Sequence, residues 1–261
     1  MVEMLNMLLL AVVQGLTEFL PVSSSGHLVL TQHFLGARQG DVFFDIILHV
    51  GTLGSILVVY RGEIRRLLRC DRASLEYMAS LAAGTLPAAA VGLVFKDRIE
   101  ALYHDPVFAA CGLILTAGVL FATRWATSSE SLADPWEPRA PALGNAFVIG
   151  LAQATAILPG VSRSGSTIAM GLWAGLPRAE AARFSFLLSI PAVSGALLLQ
   201  LLDFPEPDAG ETARLLLAGL TAFAVGLLAI RWTALAVVQE HFWKFGFYCL
   251  AMGTAVLLFL R

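Results

Sequence analysis

The sequence predicts an all-α polytopic membrane protein built as an inverted-topology repeat, each half a re-entrant helical hairpin followed by three transmembrane helices. Three observations carry this reading. Of 261 residues, 57% are hydrophobic and only 14% are charged, with a mean hydropathy of +0.76. Ordinary soluble domains carry about 25% charged residues, so this chain has too few to coat a globule of its size. Six apolar stretches reach the roughly 17–25 residues that cross a bilayer. A Pro-Ser-Gly cluster occurs once in each half, at matching positions.

The elements follow in chain order. Met4–Leu20 is apolar and runs into Pro21-Val-Ser-Ser-Ser-Gly26, after which Gly26–Gly36 is apolar again. A helix of about 11 residues is about 16 Å long, roughly half a bilayer. The pair is therefore expected to turn back inside the membrane, where such backbone must be buried in protein or line a wet cavity. The spans Phe43–Tyr60, Leu75–Phe95 and Val107–Thr123 come next, separated by polar stretches Arg61–Ser74 and Lys96–Asp105 that read as loops. After the polar Arg124–Pro141, Leu143–Leu158 and Ser164–Leu176 form the second hairpin. The spans Phe184–Leu202, Ala213–Ile230 and Phe242–Leu260 complete the chain, with Asp203–Thr212 and Arg231–His241 between them. One membrane domain thus covers 1–261, with repeats at 1–130 and 140–261. Only Glu3 supplies charge ahead of the first apolar run, whereas a signal peptide needs positive charge there; the mature chain is expected to begin near Met1.

The halves align. Gln14-Gly-Leu-Thr-Glu-Phe-Leu-Pro-Val-Ser-Ser-Ser-Gly26 lies against Gln153-Ala-Thr-Ala-Ile-Leu-Pro-Gly-Val-Ser-Arg-Ser-Gly165, with one deletion and one inserted Gly160. Further on, Phe44 and Leu48 match Phe184 and Leu188, and Ala90–Leu93 matches Ala224–Leu227. A hairpin adds no crossing and three spans are odd, so the second half enters the membrane upside down. Inverted repeats place their site at the midplane where the repeats meet. Arg61, Arg65, Arg66, Arg69 and Arg72 put the Arg61–Ser74 loop in the cytoplasm by the positive-inside rule. Asp203–Thr212, with Asp203, Glu206, Asp208 and Glu211 and no Lys or Arg, then falls outside, as do both termini.

Composition also excludes. The 17 Lys and Arg against 19 Asp and Glu leave a net charge of −2, so no basic balance points to nucleic acid. Cys70, Cys111 and Cys249 are odd in number and widely spaced, which supports neither a disulfide framework nor a zinc site.

Few polar residues interrupt the apolar stretches, and these carry the chemistry. Glu18 follows Gln14 by four residues, on one helix face. A carboxylate at membrane depth must be paired, hydrated or bound to a cation. Glu18 reads as a ligand for a divalent cation with Gln14 as a neutral oxygen ligand, or as a hydrogen bond closing the hairpin. Ser23, Ser24 and Ser25 precede His27 at the start of the second arm. Hydroxyls cap helix starts and free backbone N–H groups there bind anions. His27 can act as general acid, base or nucleophile, or sit as a hydrogen-bonded histidine behind a capping turn. In the second hairpin Arg163 is flanked by Ser162 and Ser164, with Thr167 one turn further on. Its planar fork suits phosphate oxygens beside a helix N-terminus; an Arg163–Glu18 ion pair joining the halves is the alternative, and the two can alternate between empty and loaded states. Asp45 and His49, four apart, either support the site or make a helix–helix hydrogen bond. His33, His104 and His241 read as loop or interface residues. Gly51–Gly54 and Gly84–Pro87 read as close helix packing.

These motifs resemble the undecaprenyl pyrophosphate phosphatase family of bacteria, the bacitracin-resistance membrane phosphatases. Gln14-Gly-Leu-Thr-Glu18-Phe-Leu-Pro-Val-Ser-Ser-Ser-Gly-His27 and Pro159-Gly-Val-Ser-Arg-Ser-Gly165 with Thr167 fit its (E/Q)xxxE and PGxSRSxxT signatures. The resemblance covers essentially the whole chain. It implies hydrolysis of undecaprenyl diphosphate to undecaprenyl phosphate plus phosphate, which recycles the lipid carrier for peptidoglycan and other envelope polymers and confers bacitracin resistance. It implies a bacterial cytoplasmic (inner) membrane location with the active site facing outward. Glu18, Ser24, His27 and Arg163 would be catalytic. Ser23, Ser25, Ser162, Arg163, Ser164 and Thr167 would bind phosphate, and Glu18 and Gln14 would hold Mg²⁺ or Ca²⁺. The attacking group is left open between His27, a serine and water. A homodimer is allowed. A transporter or flippase for a polyprenyl phosphate is the competing class, since inverted repeats with broken helices are typical of transporters.

The orientation is testable. A cysteine placed at Asp208 should react with an impermeant thiol reagent in whole cells while native Cys70 should not; the opposite labelling would reverse the topology.

Overall fold

A computed structural model describes residues 2–37, 41–103, 105–126, 140–200 and 209–260. His104, Asp203, Glu206, Asp208 and most of the Arg124–Pro141 stretch lie outside them. The first half contains α1 (Val2–Thr17), α2 (Ser24–Leu35), α3 (Val42–Val59), α4 (Arg61–Leu67), α5 (Arg72–Val94), α6 (Lys96–Leu102) and α7 (Pro106–Ala122). The second contains α8 (Leu143–Thr155), α9 (Arg163–Trp173), α10 (Arg178–Gln200), α11 (Ala209–Val238) and α12 (Phe245–Phe259).

The protein is a multi-pass helical membrane protein. Helices α5, α10 and α11, and α7 and α12 together with the adjoining 3-10 turns Thr123–Trp125 and Phe242–Lys244, are each long and apolar enough to cross a bilayer, and α3 joins α4 across a 77° bend to make a sixth candidate. Burial is reversed relative to a soluble protein. Leu86, Leu115 and Leu220 are 55–63% exposed, while Gln14, Ser55, Thr116 and Ser185 are fully buried. Such an exterior is stable only against lipid tails, and such an interior only if its polar groups find each other.

Three boundaries differ from the sequence expectation. Arg61–Leu67 and Lys96–Leu102, polar stretches expected to be loops, are short helices. Neither contains Pro, and Arg, Lys, Glu and Leu are good helix formers. Helix α11 continues through Arg231 to Val238, because Arg231-Trp-Thr-Ala-Leu-Ala-Val-Val238 offers neither Gly nor Pro to stop it. At 30 residues it is about 45 Å long, longer than a hydrocarbon core, so its polar Arg231 end reaches beyond the apolar slab.

Two pairs of short helices, α1 with α2 and α8 with α9, pack as hairpins, and the spans wrap them. Helix α1 lies on α11, and α8 lies on α5. The first arm of each half thus rests on the middle span of the other half. Helix α7 touches α2, α9 and α12. Phe19, Phe184, Phe186, Ile168 and Leu188 are all buried in the central core, where the Phe19 and Phe186 rings meet edge to face at 5.9 Å.

The breaks between hairpin arms leave non-helical backbone, and neighbouring elements satisfy it. At the first break Thr233 Oγ1 donates to Phe19 O at 3.1 Å, Ser164 Oγ to Leu20 O at 3.1 Å, and Cys249 Sγ to Pro21 O at 3.6 Å. At the second, Thr116 Oγ1 donates to Gly160 O at 2.9 Å and accepts from Ser162 N at 2.9 Å, and Tyr103 Oη donates to Ile157 O at 3.0 Å. An unmet group in hydrocarbon costs several kcal/mol, so these bonds are conditions for the breaks to exist.

Glycine sets the closest approaches. A Cβ on Gly150 would lie 2.5 Å from Gly84 O, and one on Gly51 2.2 Å from Gly219 O. Gly160 has φ +86° and a Cβ there would lie 2.0 Å from Ala109 O. Gly160→Ala should therefore destabilise by at least ~2 kcal/mol, from left-handed backbone strain plus the clash, seen as a lowered Tm in detergent. Gly62→Ala, with nothing within 4 Å, is the control and should leave Tm nearly unchanged.

Candidate functional site

The site forms where the two breaks touch. A Cβ on Gly26 would meet Gly160 Cα at 2.8 Å, so the start of α2 touches the break ahead of α9, and the first residues of the two helices, Ser24 and Arg163, bond the same Glu18 carboxylate. Each start is capped the same way. Ser23 Oγ accepts from Gly26 N at 3.2 Å and Ser162 Oγ accepts from Gly165 N at 3.0 Å. Ser23 and Ser25 hydroxyls lie 3.3 Å apart, as do those of Ser162 and Ser164. Helix N-termini favour a negative charge, and both starts here have one in the Glu18 carboxylate. Ser23 adopts φ 69°, a left-handed conformation costing about 1–3 kcal/mol in a residue other than glycine, of the kind that clusters at functional sites.

Glu18 is the hub. It closes the first break, is 8% exposed, and its carboxylate gathers four neighbours. Arg163 Nη2 donates to Oε1 at 2.5 Å; Ser24 Oγ at 2.6 Å and Gln14 Nε2 at 3.1 Å donate to Oε2. His49 Nε2 stands 3.8 Å from the same oxygen. The ion pair allowed from the sequence is thus present and joins the halves. It does not exhaust the arginine: Arg163 Nη1 is buried with no hydrogen-bond partner among the described residues, as is Gln14 Oε1. A buried guanidinium N–H left unmet is costly. Here it lies beside two helix starts, which is where an incoming phosphoryl oxygen would satisfy it.

The structure therefore brings together Gln14, Glu18, Ser24 and Arg163. It places the other expected residues in supporting bonds. His27 holds Ser23 O through Nδ1 at 2.8 Å, and its Nε2 meets Tyr248 Oη at 2.7 Å. Because a carbonyl only accepts, Nδ1 carries the proton and Nε2 accepts from the tyrosine. Ser164 binds Leu20 O, and Thr167 Oγ1 is shared between Arg163 O at 2.8 Å and Ser185 Oγ at 2.6 Å. Sequence reading missed Tyr248 and Thr116. Both sit in long apolar helices, and nothing in their local sequence says which way they face. Of the two alternatives for Asp45 and His49, the structure sets His49 Nε2 3.8 Å from Glu18, with Asp45 taking Gln32 Nε2 on Oδ1 at 2.9 Å.

The same site residues lie within a stretch matched almost end to end by known proteins. The family described as Bacitracin resistance protein BacA matches residues 7–255. The chain belongs to the BacA family. Its curated relatives include an undecaprenyl-diphosphatase of Rhodopirellula baltica, 41% identical and covering 99% of this chain and 98% of the relative. One of Rubrobacter xylanophilus is 41% identical, covering 98% of each chain. An archaeal one from Korarchaeum cryptofilum is 35% identical, covering 99% of this chain and all of the relative. The BacA relationship thus spans both hairpins and both halves of the site.

The ion pair makes a stability prediction. Removing one partner of a buried pair costs about 3–5 kcal/mol because the other charge is left uncompensated. Glu18→Gln should lower stability by that order. Arg163→Met in the same chain should recover much of it. Thermal unfolding of both singles and the double reads the coupling, and strictly additive losses would mean that the two groups act independently.

Proposed function

We propose that this protein hydrolyses undecaprenyl diphosphate to undecaprenyl phosphate and phosphate, regenerating the lipid carrier for envelope polymers and so conferring bacitracin resistance. The observation that carries the reading is Arg163 of one hairpin on Glu18 of the other, with Ser24 bonded to the same carboxylate. An acceptor of protons, a nucleophile and a phosphate-matching fork meet inside a lipid-facing bundle. A membrane-borne diphosphate can bring its headgroup there while its tail stays among helices.

In this reading Ser24 is the nucleophile. At 2.6 Å its hydroxyl already donates to Glu18 Oε2, the geometry of a base that takes the proton as the oxygen attacks. Ser24 Oγ bonds to the terminal phosphorus and its proton passes to Glu18. The bond from phosphorus to the bridging oxygen breaks, and the lipid monophosphate leaves with that oxygen and the proton from Glu18. Glu18 next takes a proton from water as the water oxygen attacks the phosphoserine. The Oγ–P bond breaks, the proton returns to Oγ, and inorganic phosphate departs. Arg163 turns from its resting partner to the phosphoryl oxygens, with Nη1 free to make the second bond of its fork. His27 keeps Ser23 O in place and so sets the turn that presents Ser24.

Glu18 and Gln14 fit a hard divalent cation, Mg²⁺ or Ca²⁺. One carboxylate and one buried, unmet amide oxygen form the sparse donor set that Mg²⁺ accepts when substrate phosphates fill its remaining positions. Such an ion supplies neutralisation of phosphate charge.

The two halves are taken to be inverted repeats in the inner membrane, with the site on the outer side. Mirrored serine caps and the exchange of first arms between halves support the inversion. The arginine-rich α4 and the short α6 flank opposite ends of α5. Tyr103, just past α6, reaches Ile157 O beside the second break, which ties the site to the end away from the arginines.

Purified protein in detergent should release phosphate from undecaprenyl diphosphate with Mg²⁺ present, without two compartments; a pure flippase would release none. Arg163→Lys keeps charge but loses the paired geometry. Because donors to developing charge are typically worth about a hundred- to thousandfold in rate, kcat should fall by that factor with Tm retained. A lysine variant with near-normal kcat would refute the clamp.

A further inference from the structure

We propose that His49 is a third ligand of the cation site, through Nε2, and that this nitrogen biases the site towards first-row transition ions such as Mn²⁺ and away from Ca²⁺. The inference rests on the reading above that Glu18 and Gln14 hold a cation.

The geometry of the imidazole carries it. His49 Nδ1 lies 2.8 Å from Asp45 O. A backbone carbonyl can only accept, so Nδ1 bears a proton and Nε2 is the nitrogen left to bind an ion. Nε2 faces Glu18 Oε2 at 3.8 Å. Two lone-pair atoms facing each other repel unless a proton or a cation lies between them. Bonds of about 2.1 Å from a cation to nitrogen and to oxygen can bridge that gap. A third donor stands at the same place: Gln14 is fully buried and its Oε1 has no hydrogen-bond partner among the described residues. Its amide nitrogen touches Glu18 Oε2 at 3.1 Å, so a half-turn of the amide brings Oε1 to that oxygen's side. The surroundings of His49 match those of metal-bound histidines, which donate the other ring N–H to a carbonyl or carboxylate that fixes the ring. That carbonyl is itself held, because Asp45 sits in α3 with its carboxylate anchored on α2 by Gln32. Imidazole suits transition ions, whereas carboxylate and carbonyl oxygens suit Ca²⁺ and Mg²⁺. A mixed set therefore shifts the preference.

The competing arrangement is a protonated His49 paired with Glu18. Pulsed electron paramagnetic resonance of Mn²⁺ added to the detergent-purified full chain separates the two, because only a ligating imidazole couples its nitrogen to the ion. We expect one tightly bound Mn²⁺ with nitrogen modulation. His49→Gln, which keeps a donor oxygen, should lose the modulation and bind Ca²⁺ relative to Mn²⁺ about tenfold better than the parent. His49→Leu should weaken Mn²⁺ by at least about tenfold. The wild-type spectrum decides even if a variant fails to fold. Bound Mn²⁺ without nitrogen coupling would overturn the role of His49 and leave the Glu18 site standing. No Mn²⁺ bound at all, with phosphate still released in chelator, would remove the cation reading and His49 with it.

Discussion

Everything in this protein depends on keeping broken helices inside an apolar slab. A continuous helix satisfies its own backbone, and a break exposes carbonyls and amides that hydrocarbon cannot solvate. The six bonds from Thr233, Ser164, Cys249, Thr116 and Tyr103 to the two breaks answer that demand. They come from both halves and from three spans besides the hairpins. The scaffold that permits the breaks is therefore the scaffold that fixes them, and it leaves little freedom in where Glu18, Ser24 and Arg163 stand. Ser164 shows the economy of this plan: its hydroxyl closes a carbonyl of the opposite break while its backbone opens α9 beside Arg163.

The charges answer a second cost of the same medium. Glu18 and Arg163 are nearly buried, at 7% and 16% side-chain exposure, and neither ion would be tolerable there alone. Pairing across the interface of the halves makes the resting state stable without saturating it. Among the described residues Arg163 Nη1 and Gln14 Oε1 remain an unmet donor and an unmet acceptor, both on side chains bonded to Glu18. The resting ion pair thus holds the arginine on Glu18 while one nitrogen of its fork stays without a hydrogen-bond partner among the described residues. The strained Ser23, pinned by His27, belongs to the same arrangement, since it turns the chain so that Ser24 faces the carboxylate.

Much of this was legible in the residues. Hydropathy placed all six spans and both pairs of short arms, because lipid demands long apolar runs and Pro-Gly-Ser clusters end them. Rarity marked the chemistry, since a Glu and an Arg in apolar stretches need partners and each turned out to be the other's. Less legible was whatever depends on direction. Arg61–Leu67 and Arg231–Val238 carry charge, yet charge does not stop a helix that has no Pro. Ser162, Ser164 and Thr167 carry hydroxyls suited to phosphate, and their bonds instead cap, bridge and brace. Spacing tells which residues share a face but not what that face meets.

The sequence by itself determined that this chain lives in a membrane as helices, that Pro-Ser-Gly clusters break two pairs of short ones, and that Gln14, Glu18, Ser24 and Arg163 are among the few polar residues interrupting its apolar stretches. These follow from transfer energies and backbone satisfaction, which act residue by residue along the chain. Only the tertiary structure decided that Arg163 lies on Glu18 across 145 positions, that His27 spends both nitrogens on Ser23 and Tyr248, and that His49 stands at the carboxylate instead. Those outcomes depend on helix rotation and on crossings between the halves, set by glycine contacts such as Gly150 on Gly84 and Gly26 on Gly160. Such contacts are pairwise and distant in sequence, so no local pattern along the chain encodes them.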